Sequence, residues 1–312
     1  MKSFTLKSEP PPSTQHTATM PVVLLVIAIA FLAGCVTPTV LPPEARTQVN
    51  QTDVRSHIPQ EALNLQFMAS TYGSGMGLIG IIVDASVNAA MASSAETRAK
   101  RIREQVKDFD FRSKYWDAVS NVVAETPWIK LRGFSRVASK VEPVKAETVT
   151  AGAAMNIGTD YFISPNCRVF EVSTGLGFFL PGKHEKLAAA NTVLYYSAKI
   201  GDVEGDKATA LWVTNNGAAL RLAATEGIQE SAKLVRHALN LMGGITNVML
   251  RPAKVSATLV HGRGGFGIPM GRMGLTGHVL EETPDRVIFQ AAHGPLYSWP
   301  RKEVEVEFVT SK

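Results

Sequence analysis

The chain has 312 residues, 32 Lys and Arg against 27 Asp and Glu, a formal net charge of +5 and a hydrophobic share of 45%. So mild a charge, with no Lys/Arg block, excludes a nucleic-acid footprint, and the hydrophobic share is that of a folded globular chain rather than a disordered one. The length allows one large domain or two small ones.

In chain order the first element is an apolar run, Pro21 to Phe31, preceded by Lys2 and Lys7 and followed by Leu32-Ala33-Gly34-Cys35. The run is about a dozen residues long, which suits a signal-peptide core and falls short of the ~20 residues of a membrane-spanning helix. The four residues after it resemble the lipobox of bacterial lipoproteins. The resemblance implies a diacylglycerol on the Cys35 thiol, cleavage before Cys35 and acylation of the new amino group. Residues 1–34 are then a lipoprotein signal peptide, and losing Lys2, Lys7 and Glu9 with it leaves a charge of +4. Val36 stands where lipoproteins kept at the inner membrane commonly carry Asp. The resemblance therefore implies the outer membrane, with the chain lipid-anchored and facing the periplasm. Cys167 is the other cysteine. With Cys35 acylated it has no intrachain disulfide partner, and such a residue is expected to be buried.

Residues 35–58 read as a Pro-rich linker, extended by Pro38, Pro42 and Pro43. Residues 59–126 read as a helical region. Pro59 suits a first helical position, with Ala62, Leu63, Phe67 and Met68 at helical spacing. A Gly-rich segment, Tyr72 to Gly80, interrupts the pattern. A long helix is expected from Leu78 to Lys107 and an amphipathic one from Arg112 to Glu125, stopped by Pro127.

Residues 127–250 alternate as an α/β domain. Strands are expected over Trp128–Phe134, Asp160–Ile163 and Arg168–Ser173, with a small-residue helix over Val144–Ile157. Thr192–Ile200 and Thr209–Thr214 read as a hairpin. Gly217 to Met242 carries a long helical pattern, ended by Gly243-Gly244. Residues 251–312 read as a small β domain, SH3-like or a sheet extension, with strands at Lys254–Val260, His278–Glu281, Arg286–Ala291 and Glu303–Val309. In the last of these, Val304, Val306 and Phe308 alternate with glutamates and are expected to share a buried face. The fold class is α+β: N-terminal helices, a central α/β domain with a mixed sheet and a hairpin, and a small C-terminal β region.

Three patterns touch on chemistry. Gly75-Met76-Gly77-Leu78-Ile79-Gly80 matches the dinucleotide fingerprint in letters only, because no strand precedes it and Glu96 lies in a charged helix. Gly73, Gly77 and Gly80 read better as a surface for close helix packing, within the chain or between copies. Gly177-Phe178-Phe179-Leu180-Pro181-Gly182-Lys183 has the spacing of a phosphate loop. His184 follows where Ser or Thr is needed, so the segment reads as a hairpin or loop tip. His261, His278 and His293 match no zinc-site spacing. No cofactor, metal site or catalytic set is expected.

The order of helix, Trp128-Ile129-Lys130-Leu131, Gly158-Thr159-Asp160-Tyr161-Phe162-Ile163, Val169 to Gly175 and Leu211-Trp212-Val213 is similar to that of the curli-secretion lipoproteins and the lipoprotein activators of penicillin-binding proteins. This resemblance covers roughly residues 108–242 and carries over no functional residue beyond Cys35. The expected function is that of a non-enzymatic envelope lipoprotein, a scaffold or assembly factor binding a periplasmic protein partner, with self-association an option. Two alternatives stay open: a subunit of an oligomeric outer-membrane channel or secretion complex, and an envelope hydrolase with an unrecognised site.

Overall fold

A computed structural model describes residues 40–47, 49, 51–65, 92–138, 152–181, 187–245, 250–258, 272–292 and 294–309. Cys35 and Gly73, Gly77 and Gly80 lie outside the described residues, as do His261, His293 and the Gly182-Lys183 end of the phosphate-loop-like segment. The fold is α+β. Thr37 to Lys312 make one compact unit, built on a mixed sheet with eleven strands among the described residues.

The helices are α1 (Pro43–Arg46), α2 (92–105), α3 (Phe111–Ala124) and α4 (Gly205–Met242). The strands are β1 (Thr52–His57), β2 (Asn64–Leu65), β3 (Leu131–Val137), β4 (Ala153–Ile163), β5 (Phe170–Phe179), β6 (Ala189–Tyr196), β7 (Arg251–Thr258), β8 (Arg272–Glu282), β9 (Arg286–Ala291), β10 (Leu296–Pro300) and β11 (Val304–Phe308). Their order across the sheet is β11-β7-β8-β9-β10-β6-β5-β4-β1-β3, with β2 beside β4.

Several expectations are corrected here. Residues 52–57, expected in the linker, form β1, which lies between β3 and β4 and is parallel to both. Its inward residues Thr52, Val54 and Ser56 are fully buried, as is Ile58 after it. Residues 153–157, expected to be helical, begin β4. Asn64–Leu65, expected in a helix from Pro59, pairs with Phe162 and Ile163. Thr209–Thr214 is not a hairpin strand: residues 209–213 are helical in α4 and Thr214 begins a break in it. There Ala208, Thr209 and Trp212 are buried at helical spacing. The true partner of β6 is β5, in a β4-β5-β6 meander. The α3 expectation holds nearly to the residue. Its Asp110 caps the first turn by accepting from the Ser113 N–H at 2.9 Å.

Strand alternation sorts the core into two clusters. Ala153, Met155, Ile157, Tyr161, Phe170, Val172, Leu176, Phe178, Val193 and Tyr195 pack with α3 and α4. The second cluster belongs to β7–β11 and contains Val255, Val279, Val287, Phe289, Tyr297 and Trp299, with Val169 and Tyr196 of the main sheet. Tyr195 and Tyr196 therefore point into different cores, as neighbours in a strand must. Leu280, Ile288 and Leu296 face the α4 side. The five C-terminal strands form a meander that returns to its start, because β11 pairs with β7 after a short 3-10 turn at Arg301–Glu303. They also extend the main sheet, because β10 pairs in parallel with β6. The sheet thus runs across the expected boundary at 250/251.

Two local expectations change with this packing. Phe178, in a segment expected to be a hairpin or loop tip, lies near the end of β5 in the β5-β6 hairpin and is fully buried, 5.6 Å from the Trp128 ring. Phe308 is 42% exposed and lies beneath the Arg251 guanidinium at 4.4 Å, while Val304 at the other end of β11 is buried. The buried face of β11 fades because the strand closes the edge of the sheet and has a neighbour on one side only.

Candidate binding site

A surface recess of about 250 Å³ opens between four chain segments. Its walls are Leu63 before β2, the end of α2 with the following loop (Arg103, Val106, Lys107, Phe109), the start of α3 (Phe111), and Leu220 and Ala224 of α4. Tyr161 and Phe170 form the floor. The Phe111 ring lies 4.1 Å from Tyr161 and 6.0 Å from Phe170, so three aromatic rings meet there. Burial pushes the Tyr161 hydroxyl up to about 12, and nearby Arg112 opposes the shift. It therefore stays neutral over the physiological range.

A break in α4 places its contribution. Thr214 is extended and Asn215, Asn216 and Gly217 adopt left-handed φ values of 51°, 55° and 71°. Asn and Gly tolerate that region best. Gly217 is also needed for space, because a Cβ there would lie 3.0 Å from Val106 Cγ1. After the break Arg221 holds the surroundings together. It donates to the Asn216 carbonyl at 3.0 Å, to the last carbonyl of α2 on Gln105 at 2.8 Å, and to Asp108 Oδ1 at 2.5 Å. The Arg221 contact holds the Asp108 carboxyl below its usual range.

The rim is charged. Arg103 pairs with Glu96 and also donates to the Leu63 carbonyl at 3.4 Å. Glu61 and Lys107 also line the recess. Among the described residues neither makes an ion pair.

Chemically, this is a recess that is apolar and aromatic within, with Glu61 and the basic Arg103, Lys107 and Arg221 around it. Its volume is below the roughly 300–1,000 Å³ of small-molecule sites and suits one large apolar side chain. Among the described residues no three His, Cys, Asp or Glu side chains converge as a metal site requires, and no helix is long and apolar enough to cross a membrane. Cys167 is buried in the turn between β4 and β5 with φ 62°. Burial raises its thiol, and Arg98 and Thr209 only partly counter this. An unreactive thiol follows.

The sequence marks none of these lining residues as a site; Leu63 and Tyr161 stand out in it only as parts of a helix and a strand pattern. Phe109 and Phe111 carry the only local hint, two aromatics at the junction of two helices. Recess and helix break depend on contacts between residues over a hundred positions apart, such as Arg221 with Gln105. No protein-family model, curated protein or solved structure matches the chain.

Proposed function

We propose that the chain is an envelope lipoprotein, anchored at the outer membrane through Cys35 and facing the periplasm, which works by binding a protein partner as a scaffold or assembly factor rather than by catalysis. The lipobox-like Leu32-Ala33-Gly34-Cys35 supports the anchoring. The recess carries the binding part. An aromatic-floored hollow that accepts one large side chain, inside a rim of polar and charged groups, is how protein interfaces concentrate their affinity. The partner's anchor is a large apolar side chain flanked by groups that meet Lys107 and Glu61.

The test is site-specific photocrosslinking in native membranes. A photoreactive residue replacing exposed Lys107 is expected to yield a defined adduct. The same residue replacing exposed Thr192, on the sheet face away from the helices, is expected to yield none. Filling the recess with Ala224→Phe should abolish the adduct in protein that still melts cooperatively. Equal adducts at both positions, or an adduct indifferent to Ala224→Phe, sinks the reading.

A further inference from the structure

The tether is much shorter than the sequence pattern implies. Leu41 lies six residues beyond Cys35, and it is already fully buried, with its N–H donating to the Met242 carbonyl at 2.8 Å. Six residues reach at most about 22 Å when fully extended. A folded body of this size has a radius of gyration of about 19 Å and is about 48 Å across. The tether therefore cannot reach around the molecule, and its exit point dictates which end meets the lipid.

Backbone and side-chain contacts define that end. Leu41 joins the C-terminal end of α4 at Met242. The Trp128 indole N–H donates to the Leu239 carbonyl at 3.1 Å, and its ring packs on Phe178 near the end of β5. The Thr52 and Ala153 N–H groups, at the starts of β1 and β4, bond to Lys130 and Gln51 carbonyls. Val40 is 44% exposed and Lys130 is exposed. The Arg46 guanidinium braces the exit by donating to the Leu41 carbonyl at 3.2 Å. The acid at this end without a described ion pair is Glu44.

The opposite end lies along β4, about 33 Å from Ala153 to Ile163 at the usual strand rise. It carries the 164–168 turn and the 197–204 loop, where the Asp202 side chain is fully exposed, 3.0 Å from Arg168. The floor of the recess belongs to this half: Tyr161 is near the end of β4, and Phe170 starts β5.

We infer that the end built from Val40, Arg46, Lys130 and the α4 C-terminus faces the bilayer headgroups, so that the recess and the Asp202 end point into the periplasm. This rests on acylation of Cys35. The occupant of this end is a lipid surface, because the length of chain before Leu41 brings it, among the described residues, nearest to an acylated Cys35.

The experiment uses the acylated full chain in liposomes of phosphatidylethanolamine and phosphatidylglycerol carrying a headgroup quencher. A thiol-reactive fluorophore is placed at Lys130→Cys or at Asp202→Cys. Native Cys167 is buried and does not compete. The Lys130→Cys label is expected to be quenched several-fold more than the Asp202→Cys label. Inserting about ten Gly/Ser residues between Thr39 and Val40 lengthens the reach by roughly 35 Å, and the difference should then shrink. Equal or reversed quenching in protein that floats with the liposomes and carries acyl mass on Cys35 overturns the orientation alone. Protein that neither floats nor carries acyl mass overturns the anchoring and the orientation together.

Discussion

Arg286 at the start of β9 should be the most sensitive single residue of the C-terminal region. It is 8% exposed, and four hydrogen bonds engage all three nitrogens of its guanidinium. It donates to Ser298 Oγ at 2.8 Å, to the Tyr196 and Ser298 carbonyls at 2.7 and 2.9 Å, and to Glu226 at 2.6 Å. It also stacks over the Tyr195 ring at 4.6 Å. Ser298 Oγ donates onward to Glu230 at 2.8 Å. These contacts join β9, β10, β6 and α4, the elements where the C-terminal strands meet the main body. Arg286→Met keeps the stem and removes the donors. Breaking a buried ion pair from one side costs about 3–5 kcal/mol. Glu226 is 40% exposed and regains water, which pulls the estimate down, whereas Glu230 is 18% exposed and two carbonyls lose their donor. About 3–4 kcal/mol is expected, a large part of a typical stability of about 5–15 kcal/mol. At about 2–4 °C per kcal/mol for a body of this size, the melting temperature should fall by on the order of 10 °C. The control is Arg251→Ala, which removes a half-exposed arginine over exposed Phe308 and should cost under about 1 kcal/mol. Thermal melts followed by circular dichroism decide the matter. Equal shifts for the two variants would refute the buried-clamp reasoning.

Gly217→Ala should cost about 1–2 kcal/mol from its left-handed φ alone, with more from the Val106 contact; an unchanged urea midpoint would show that the break in α4 relaxes freely. Trp299→Ala, in the second core, should cost about 3–5 kcal/mol and Phe308→Ala under about 1 kcal/mol, so comparable melting shifts would mean that the packing of β11 is wrongly assigned. Burial lowers the His237 pKa despite Glu281 at 3.8 Å and against the background of Lys233, Arg236 and Glu230. The unfolded chain then binds the proton first, so this contribution to stability is fully present above about pH 6.5 and is lost as pH falls through the lower folded value. His237→Gln should flatten stability across that window, and an identical pH profile would count against it. Cys35→Ala should leave an uncleaved or unacylated chain by mass spectrometry, whereas a wild-type mature N-terminus other than Cys35 would end the lipoprotein reading.

What could be read from the sequence followed the strength of the periodic signal. The α3 pattern of Phe111, Tyr115, Val119 and Val122 is amphipathic and capped, and it was legible within a residue or two. β9 was legible because Val, Ile and Phe stand between turn residues. β1 was hidden because two of its three inward positions are the hydroxyl residues Thr52 and Ser56, which erase the apolar alternation. β10 was hidden because all five of its residues are buried; a strand covered on both faces shows no alternation, and Pro295 and Pro300 made it look like a turn. The Thr209–Thr214 segment, with three β-branched residues, reads as extended, yet packing of Trp212, whose indole donates to the Cys167 carbonyl at 2.6 Å, holds it helical as far as Val213. Nothing local marks the recess, since its walls meet only in the folded chain.

The positions of the tether and the recess bear on how such a protein would work. A binding site beside the tether exit would face the lipid and compete with it. α4 keeps the two places apart: its C-terminal end holds Leu41, and after its break Leu220, Arg221 and Ala224 line the recess. The segment from Leu220 to Met242, 22 residues apart, spans about 33 Å at the helical rise, longer than the reach of the tether. Arg286 grips the middle of this segment at Glu226 and Glu230, so the C-terminal strands brace the rod between its two ends. Were Cys35 acylated and the recess a partner site, as proposed, this rod would separate the recess from the lipid surface by more than the tether's reach. An extended Pro-rich linker over the whole of residues 35–58 would instead have allowed the body to stand much further from such a surface.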